Sequence, residues 1–282
     1  MMKLFVTGAT GFIGSNFVKR ATENGFSVVA QKRPGSSTRI QTPVKNWVTK
    51  QIDDDLTEEL NGCDALVHFA SHTPNPPYAS LSECAYWNVY ASISLIEQAA
   101  SVGIKKIVLA GTCFEYGTSA NDFKKIPPNA ALKPYMSYPV SKAAASISAC
   151  GLAREKQLNL QILRIFQAYG DGEAESRFWP SLRNAALNGQ DFNMSAGTQI
   201  RDFIHVSDIC DAFLHALKQD YSKPGKPIVR NIGTGEGTKL IDFARDLWKE
   251  WGATGELIPG TVGLRDGEIP EIVADIHSIY TP

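Results

Sequence analysis

The sequence predicts an α/β fold with a doubly wound parallel sheet and a smaller C-terminal lobe, on three observations. Short apolar or β-branched runs alternate with longer amphipathic stretches, a glycine-rich turn follows the first run at once, and the rhythm breaks near Gly170. In chain order, strands are expected near 3–7, 27–31, 46–50, 64–69, 104–110 and 159–165, with helices near 12–24, 80–101 and 137–157, the last rich in Ala and Ser. Pro74, Pro76 and Pro77 force an extended loop just beyond the fourth strand, on the edge where a parallel sheet usually carries its ligand. Past Gly170 the chain turns loop-rich, with Gly172, Pro180, Gly189 and Gly197, and short helices are expected near 177–188, 207–218 and 238–251.

Composition excludes several classes. In 282 residues, 43% hydrophobic and 20% charged, nothing points to disorder or to a disulfide scaffold. Twenty-eight basic and 29 acidic residues leave a formal charge of −1, without the footprint of a nucleic-acid or membrane-surface binder. Apolar runs such as Ala65 to Ala70 stop well short of the roughly 20 residues that a membrane span needs. The first residues run into the glycine turn and not through an apolar leader. Five scattered cysteines (Cys63, Cys84, Cys113, Cys150, Cys210) with no C-x-x-C pair fit neither a disulfide framework nor a metal site, so a reducing cytoplasm is expected.

Leu4-Phe5-Val6 leads into Thr7-Gly8-Ala9-Thr10-Gly11-Phe12-Ile13-Gly14. In a strand-turn-helix, Gly8 permits the sharp turn, Gly11 lets backbone approach a pyrophosphate, and Gly14 lets the helix pack on the strand. The phosphates then rest on the helix N-terminus. This places a dinucleotide in a Rossmann-like first unit. The second strand ends in Gln31-Lys32-Arg33-Pro34 with Arg39 beyond, where an NAD site would carry Asp or Glu on the ribose 2′-hydroxyl. Two cations in that place favour the 2′-phosphate of NADP(H), with Arg33 as its partner and Lys32 in support. Solvated loop cations are the ordinary alternative, with NAD(H) as cofactor.

Ser137-Tyr138-Pro139-Val140-Ser141-Lys142 opens the Ala-rich helix, so Tyr138 and Lys142, four apart, share a face, and Pro139 is tolerable at the first helical position. Lowering a phenol by roughly 3 pH units takes about 4 kcal/mol, which one cation at about 4 Å supplies at an effective dielectric near 20. The fifth strand ends in Gly111-Thr112-Cys113-Phe114-Glu115-Tyr116-Gly117, a hydroxyl before a glycine-closed turn.

Together the glycine turn, T-x-x-x-Y-G and Y-x-x-x-K, in this order and spacing, resemble the extended short-chain dehydrogenase/reductase family of nucleotide-sugar epimerases, dehydratases and ketoreductases. Nearly the whole chain takes part: His68-Phe69-Ala70, Asn88 in Trp87-Asn88-Val89, Arg164-Ile165-Phe166-Gln167-Ala168-Tyr169-Gly170 with Gln where the family has Asn, Arg201-Asp202-Phe203-Ile204-His205, and Asn231-Ile232-Gly233. The resemblance implies a catalytic trio. Thr112 hydrogen-bonds the reacting sugar oxygen, Tyr138 exchanges a proton with it, and Lys142 holds the nicotinamide ribose. It further implies cofactor contacts at Gly8, Thr10, Gly11, Phe12, Ile13, Gly14, Asp53, Phe69, Ala70, Ser71 and Asn88. Substrate contacts are implied at Thr73, Cys113, Gln167, Arg177, Arg201 and Arg265, a dinucleotide domain over 1–169 to which later elements return, a nucleotide-sugar lobe mainly over 170–282, and a homodimer. Family members usually continue past the last residues seen here into another helix.

Departures narrow the subclass. The Asp-Glu pair that family dehydratases carry after the threonine is Cys113-Phe114, so dehydration is not expected, and Glu115 is assigned a structural role. Epimerases of the family retain NAD, whereas the Lys32-Arg33 edge fits an enzyme that consumes NADPH. The leading expectation is therefore reduction of a nucleotide-activated 4-keto-6-deoxysugar at carbon 4. A nucleotide-sugar 4-epimerase with NAD is the alternative, followed by a non-catalytic NADP(H)-binding regulator.

Overall fold

The computed structural model describes residues 1–219, 221–263 and 267–282. Its first half runs β1 (Lys3–Thr7), α1 (Phe12–Glu23), β2 (Ser27–Lys32), β3 (Asn46–Thr49), α2 (Thr57–Leu60), β4 (Ala65–His68), α3 (Leu81–Ala85), a π-helical turn (Tyr86–Tyr90), α4 (Ala91–Ser101), β5 (Lys106–Thr112), α5 (Ser137–Glu155) and β6 (Asn159–Ile165). There follow β7 (Gln167–Tyr169), α6 (Phe178–Leu187), β8 (Phe192–Met194), β9 (Ile200–Arg201), β10 (Phe203–His205), α7 (Val206–Lys218), β11 (Ile228–Ile232) and α8 (Leu240–Glu250).

Seven strands form one parallel sheet in the order β11-β6-β5-β4-β1-β2-β3. Both faces are covered, because alternate side chains of each strand enter different cores. Leu4 and Val6 pack with Phe17 of α1 and Phe213 of α7, while Phe5 between them packs with Leu95 of α4 and Leu152 of α5. The strand order reverses direction between β1 and β4, which opens a crevice beyond their carboxyl ends.

Two features depart from the sequence pattern. Ile228–Ile232 adds a seventh strand beside β6 although Arg230 and Asn231 interrupt its apolar run. The helix expected over 80–101 is broken by the π turn, which carries Asn88 on its wider coil. A smaller core of Leu182, Met194, Ile241, Ala244 and Trp248 joins α6, β8 and α8. No helix among the described residues is long and apolar enough to cross a membrane.

Candidate active site

The crevice at the switch point is a cleft of about 700 Å³ lined by Gly8, Thr10, Gly11, Phe12, Ile13 and Gly14 from the glycine turn. Gly8 has φ +65°, and a Cβ there would lie 2.6 Å from the Ala70 nitrogen; a Cβ on Gly14 would lie 2.1 Å from the Gly8 oxygen. Only bare backbone fits this turn, which brings the N-terminus of α1 against the cleft with no side chain capping it at Gly11. The turn is anchored from the next strand, where Gln31 accepts from the Gly8 N–H (3.3 Å) and donates to the Lys50 carbonyl (2.6 Å). Lys32, Arg33 and Arg39 line the same cleft. A glycine cradle, an uncapped helix end and three cations fit a dinucleotide diphosphate.

On the far wall stand Phe69, Ala70, Ser71, Thr112, Tyr138 and Lys142. Glu115, fully buried, sets the position of Thr112: its Oε1 accepts the Thr112 N–H (2.9 Å), and its Oε2 accepts from Ser146 Oγ (2.8 Å) and Arg164 Nε (2.9 Å). Tyr138 sits at the start of α5, its ring 5.4 Å from that of Tyr78. Lys142 lies one turn on, but its ammonium donates to the Ala110 carbonyl at 2.8 Å. The expected lowering of the phenol is therefore not what this geometry produces. Burial pushes the Tyr138 hydroxyl above its ordinary value, with the Ser71 hydroxyl offsetting part of it, and burial lowers the Lys142 ammonium against the pull of Glu115.

A second cleft of about 540 Å³ continues from the first, sharing Phe114, Gln167, Glu173 and Arg177, and reaches Arg201 and Glu268 between walls of Tyr78, Phe178, Trp179, Phe192, Phe203 and Phe243. Phe203 and Phe243 stack at 3.9 Å. Arg201 donates to Glu268 Oε1 (2.9 Å) and to the Ile200 carbonyl (2.7 Å).

Several expected contacts stand off these walls, each for a visible reason. The Asp53 carboxylate accepts the Tyr86 hydroxyl at 2.8 Å, and its neighbours Gln51 and Ile52 face the cofactor cleft instead. Asn88 lies one layer behind, accepting the His72 N–H (2.7 Å) and donating to Ser141 Oγ (2.9 Å), which ties the β4 loop to α5. Thr73 accepts the Ala79 N–H within its own loop. Cys113 packs in a core with Tyr116, Ile126 and Phe166, and burial pushes its thiol up to about 12. Asn231 donates to the Ile126 carbonyl (2.7 Å) and accepts the Tyr116 hydroxyl, a buried bracket away from either cleft. His68 is likewise a core residue, between Thr7 Oγ1 (2.6 Å) and Ser92 Oγ (2.9 Å). Arg265 lies outside the described residues.

The model of the NAD dependent epimerase/dehydratase family matches residues 4–233. The chain belongs to this family. Its sequence is 27% identical to UDP-glucose 4-epimerase of Corynebacterium glutamicum over 94% of this chain and 84% of that one. To CDP-abequose synthase of Salmonella muenchen it is 23% identical over 95% and 87%. Among solved structures, MoeE5 in complex with UDP-glucuronic acid and NAD superposes with a TM-score of 0.83 at 27% identity, covering 98% of this chain and 90% of that one. As a family member the chain is an NAD(P)-dependent enzyme of the nucleotide-sugar epimerase and dehydratase group. Sequence reading passed over Glu173 and the aromatic wall of the second cleft; the run Arg177-Phe178-Trp179 was the available signal for the wall.

Proposed function

We propose that this chain is an NADPH-dependent reductase of a nucleotide-activated 4-keto-6-deoxysugar, acting at carbon 4 with Tyr138 as proton donor. The basic end of β2 carries the proposal: Lys32, Arg33 and Arg39 line the cofactor cleft, and the one carboxylate among its described lining residues, Glu173, belongs to the loop after β7. A hollow lined by Thr10, Lys32, Ser36, Ser37 and Thr38 shares that edge, offering hydroxyls beside the cation for a 2′-phosphate. In this reading residues 1–169, with α7 and β11, hold the dinucleotide, and the rest of 170–282 holds the nucleotide sugar.

When bound, the dinucleotide supplies the hydride. Gly8 to Gly14 would hold its diphosphate, Lys32 and Arg33 its ribose phosphate, and Lys142 its nicotinamide ribose. The Thr112 hydroxyl hydrogen-bonds the ketone oxygen, and the Tyr138 hydroxyl delivers a proton to it. A phenol held above its ordinary value stays protonated near neutral pH, the form a reduction consumes. Cys113 and Phe114 offer no acid-base pair for removing water, since one is buried with a raised thiol and the other is apolar.

The second reading, an NAD-retaining 4-epimerase, is favoured by the 27% identity to a UDP-glucose 4-epimerase. A non-catalytic regulator has no use for the hydroxyls of Thr112 and Tyr138 on the cleft wall. Tyr90 and Ile147, 62% and 64% exposed near the start of α4 and on α5, would face a second copy in a homodimer. The test is cofactor balance. With a 4-ketosugar nucleotide, the reductase consumes NADPH mole for mole; tightly retained NAD and no net consumption would establish the epimerase instead.

A further inference from the structure

Six buried side-chain polar atoms have no hydrogen-bond partner among the described residues, and three of them, Glu173 Oε2, Trp179 Nε1 and Gln199 Oε1, belong to residues that line the substrate cleft. A buried polar group without a partner costs on the order of 1–3 kcal/mol, so such groups gathered round one cleft mark where a ligand's polar atoms complete the wall. Glu173 stands out among them. Its side chain is 7% exposed, its Oε1 accepts from Arg177 Nε at 3.3 Å, and its Oε2 is left over. Glu173 and Arg177 are also the ionisable side chains that line both clefts. Hydride transfer requires cofactor and substrate to meet, and these clefts meet at Phe114, Gln167, Ala168, Glu173 and Arg177, so a substrate reaching Thr112 and Tyr138 from the second cleft passes this pair.

Resting on the nucleotide-sugar reading above, we infer that Glu173 is a specificity-determining residue for the sugar: Arg177 holds one carboxylate oxygen, and the other accepts a hydrogen bond from a hydroxyl or amino group of the glycosyl ring. An apolar, aromatic cleft binds nucleobase and ring faces with little discrimination. A fixed acceptor at the junction selects sugars that present a donor there and leaves the site unsatisfied by those that do not. Burial supports this role, because it raises the Glu173 carboxyl to about 7, and Arg177 only partly opposes the shift. Near neutral pH the acceptor is thus lost on mild acidification. Other charged or titratable groups round the junction are Asp171, paired with Arg183, on the same loop, Arg39 against Gly172, His205 against Gly170, the Arg201–Glu268 pair with Tyr78, Tyr135 and Tyr169 in the substrate cleft, and Lys32, Arg33, Tyr138 and Lys142 in the cofactor cleft. The isosteric amide at position 173 isolates Glu173 from all of these.

The experiment measures binding of UDP-, dTDP- and CDP-glucose, of the matching nucleoside diphosphates, and of NADPH, to wild type, Glu173→Ala and Glu173→Gln. Glu173→Ala is expected to weaken the nucleotide sugar at least tenfold while leaving the diphosphate and NADPH within twofold. Wild-type affinity for the sugar nucleotide is expected to fall as pH drops through about 7, and Glu173→Gln, which keeps the shape, to remove that pH dependence. Equal losses for sugar nucleotide and diphosphate, a loss confined to NADPH, or no loss at all would overturn the inference. If wild type binds NADPH but none of the sugar nucleotides or diphosphates, the nucleotide-sugar reading itself fails, and the role of Glu173 with it.

Discussion

At Tyr138 two effects of sequence act on one phenol in opposite directions. Helical spacing brings a cation within one turn, yet the Ala110 carbonyl takes that ammonium and burial governs the hydroxyl. Tyr138→Phe removes the proton and keeps the ring against Tyr78, so kcat is expected to fall at least 100-fold with NADPH affinity close to wild type. Steady-state kinetics beside a binding titration check this; normal turnover would sink the assigned role. Arg33 poses the corresponding question for the cofactor. A guanidinium on a phosphate is worth about 1.5–3 kcal/mol, so Arg33→Ala is expected to weaken NADPH by about 10- to 100-fold and NADH little. Equal losses in the two titrations would show that Arg33 does not read the 2′-phosphate.

Among the elements, those with a regular period were legible and those held by distant partners were not. The six strands up to Asn159–Ile165 and the helices after β1 and before β6 follow directly from apolar runs and from the Gly8, Gly11 and Gly14 turn, which is local chemistry. β11 escaped because Arg230 and Asn231 break its pattern, and the Asn231 amide is satisfied by Tyr116, Ile126 and Asp275, 44 to 115 residues away in sequence. The π turn escaped for the same reason. Its residue Asn88 reaches the His72 N–H and Ser141, and no spacing rule along 80–101 announces that bracket. Glu115 shows the converse: its structural role was readable from its place one residue beyond the positions of the dehydratase Asp-Glu pair, but its bond to Arg164 joins the turn after β5 to β6. Asp53 and Asn231 were carried over by motif position, and motif position does not say which way a side chain turns. Glu173 had no motif at all, since its significance comes from lying where two clefts meet.

Across the whole molecule, two buried groups set opposing responses to acid. Burial lowers His68 from 6.5 to about 3, so the folded chain keeps it neutral while the unfolded chain takes up a proton below pH 6.5. Between those values the unfolded state holds the extra proton, and stability falls by about 1.4 kcal/mol for each pH unit of acidification. Glu173 works the other way. Raised from 4.5 to about 7, it is protonated in the fold before it is protonated in the unfolded chain, so its contribution to stability rises as pH falls from 7 to 4.5. The two slopes largely cancel in the wild type, and a single substitution uncovers the remaining one. His68→Gln, which takes up no proton, is expected to gain about 2 kcal/mol relative to wild type on going from pH 6.5 to pH 5, whatever its stability at pH 7. Glu173→Gln is expected to lose stability relative to wild type over the same interval. Urea titrations of the three proteins at matched pH values measure both differences. Parallel pH profiles for wild type and His68→Gln would mean that His68 is protonated inside the fold, and that burial does not hold it neutral.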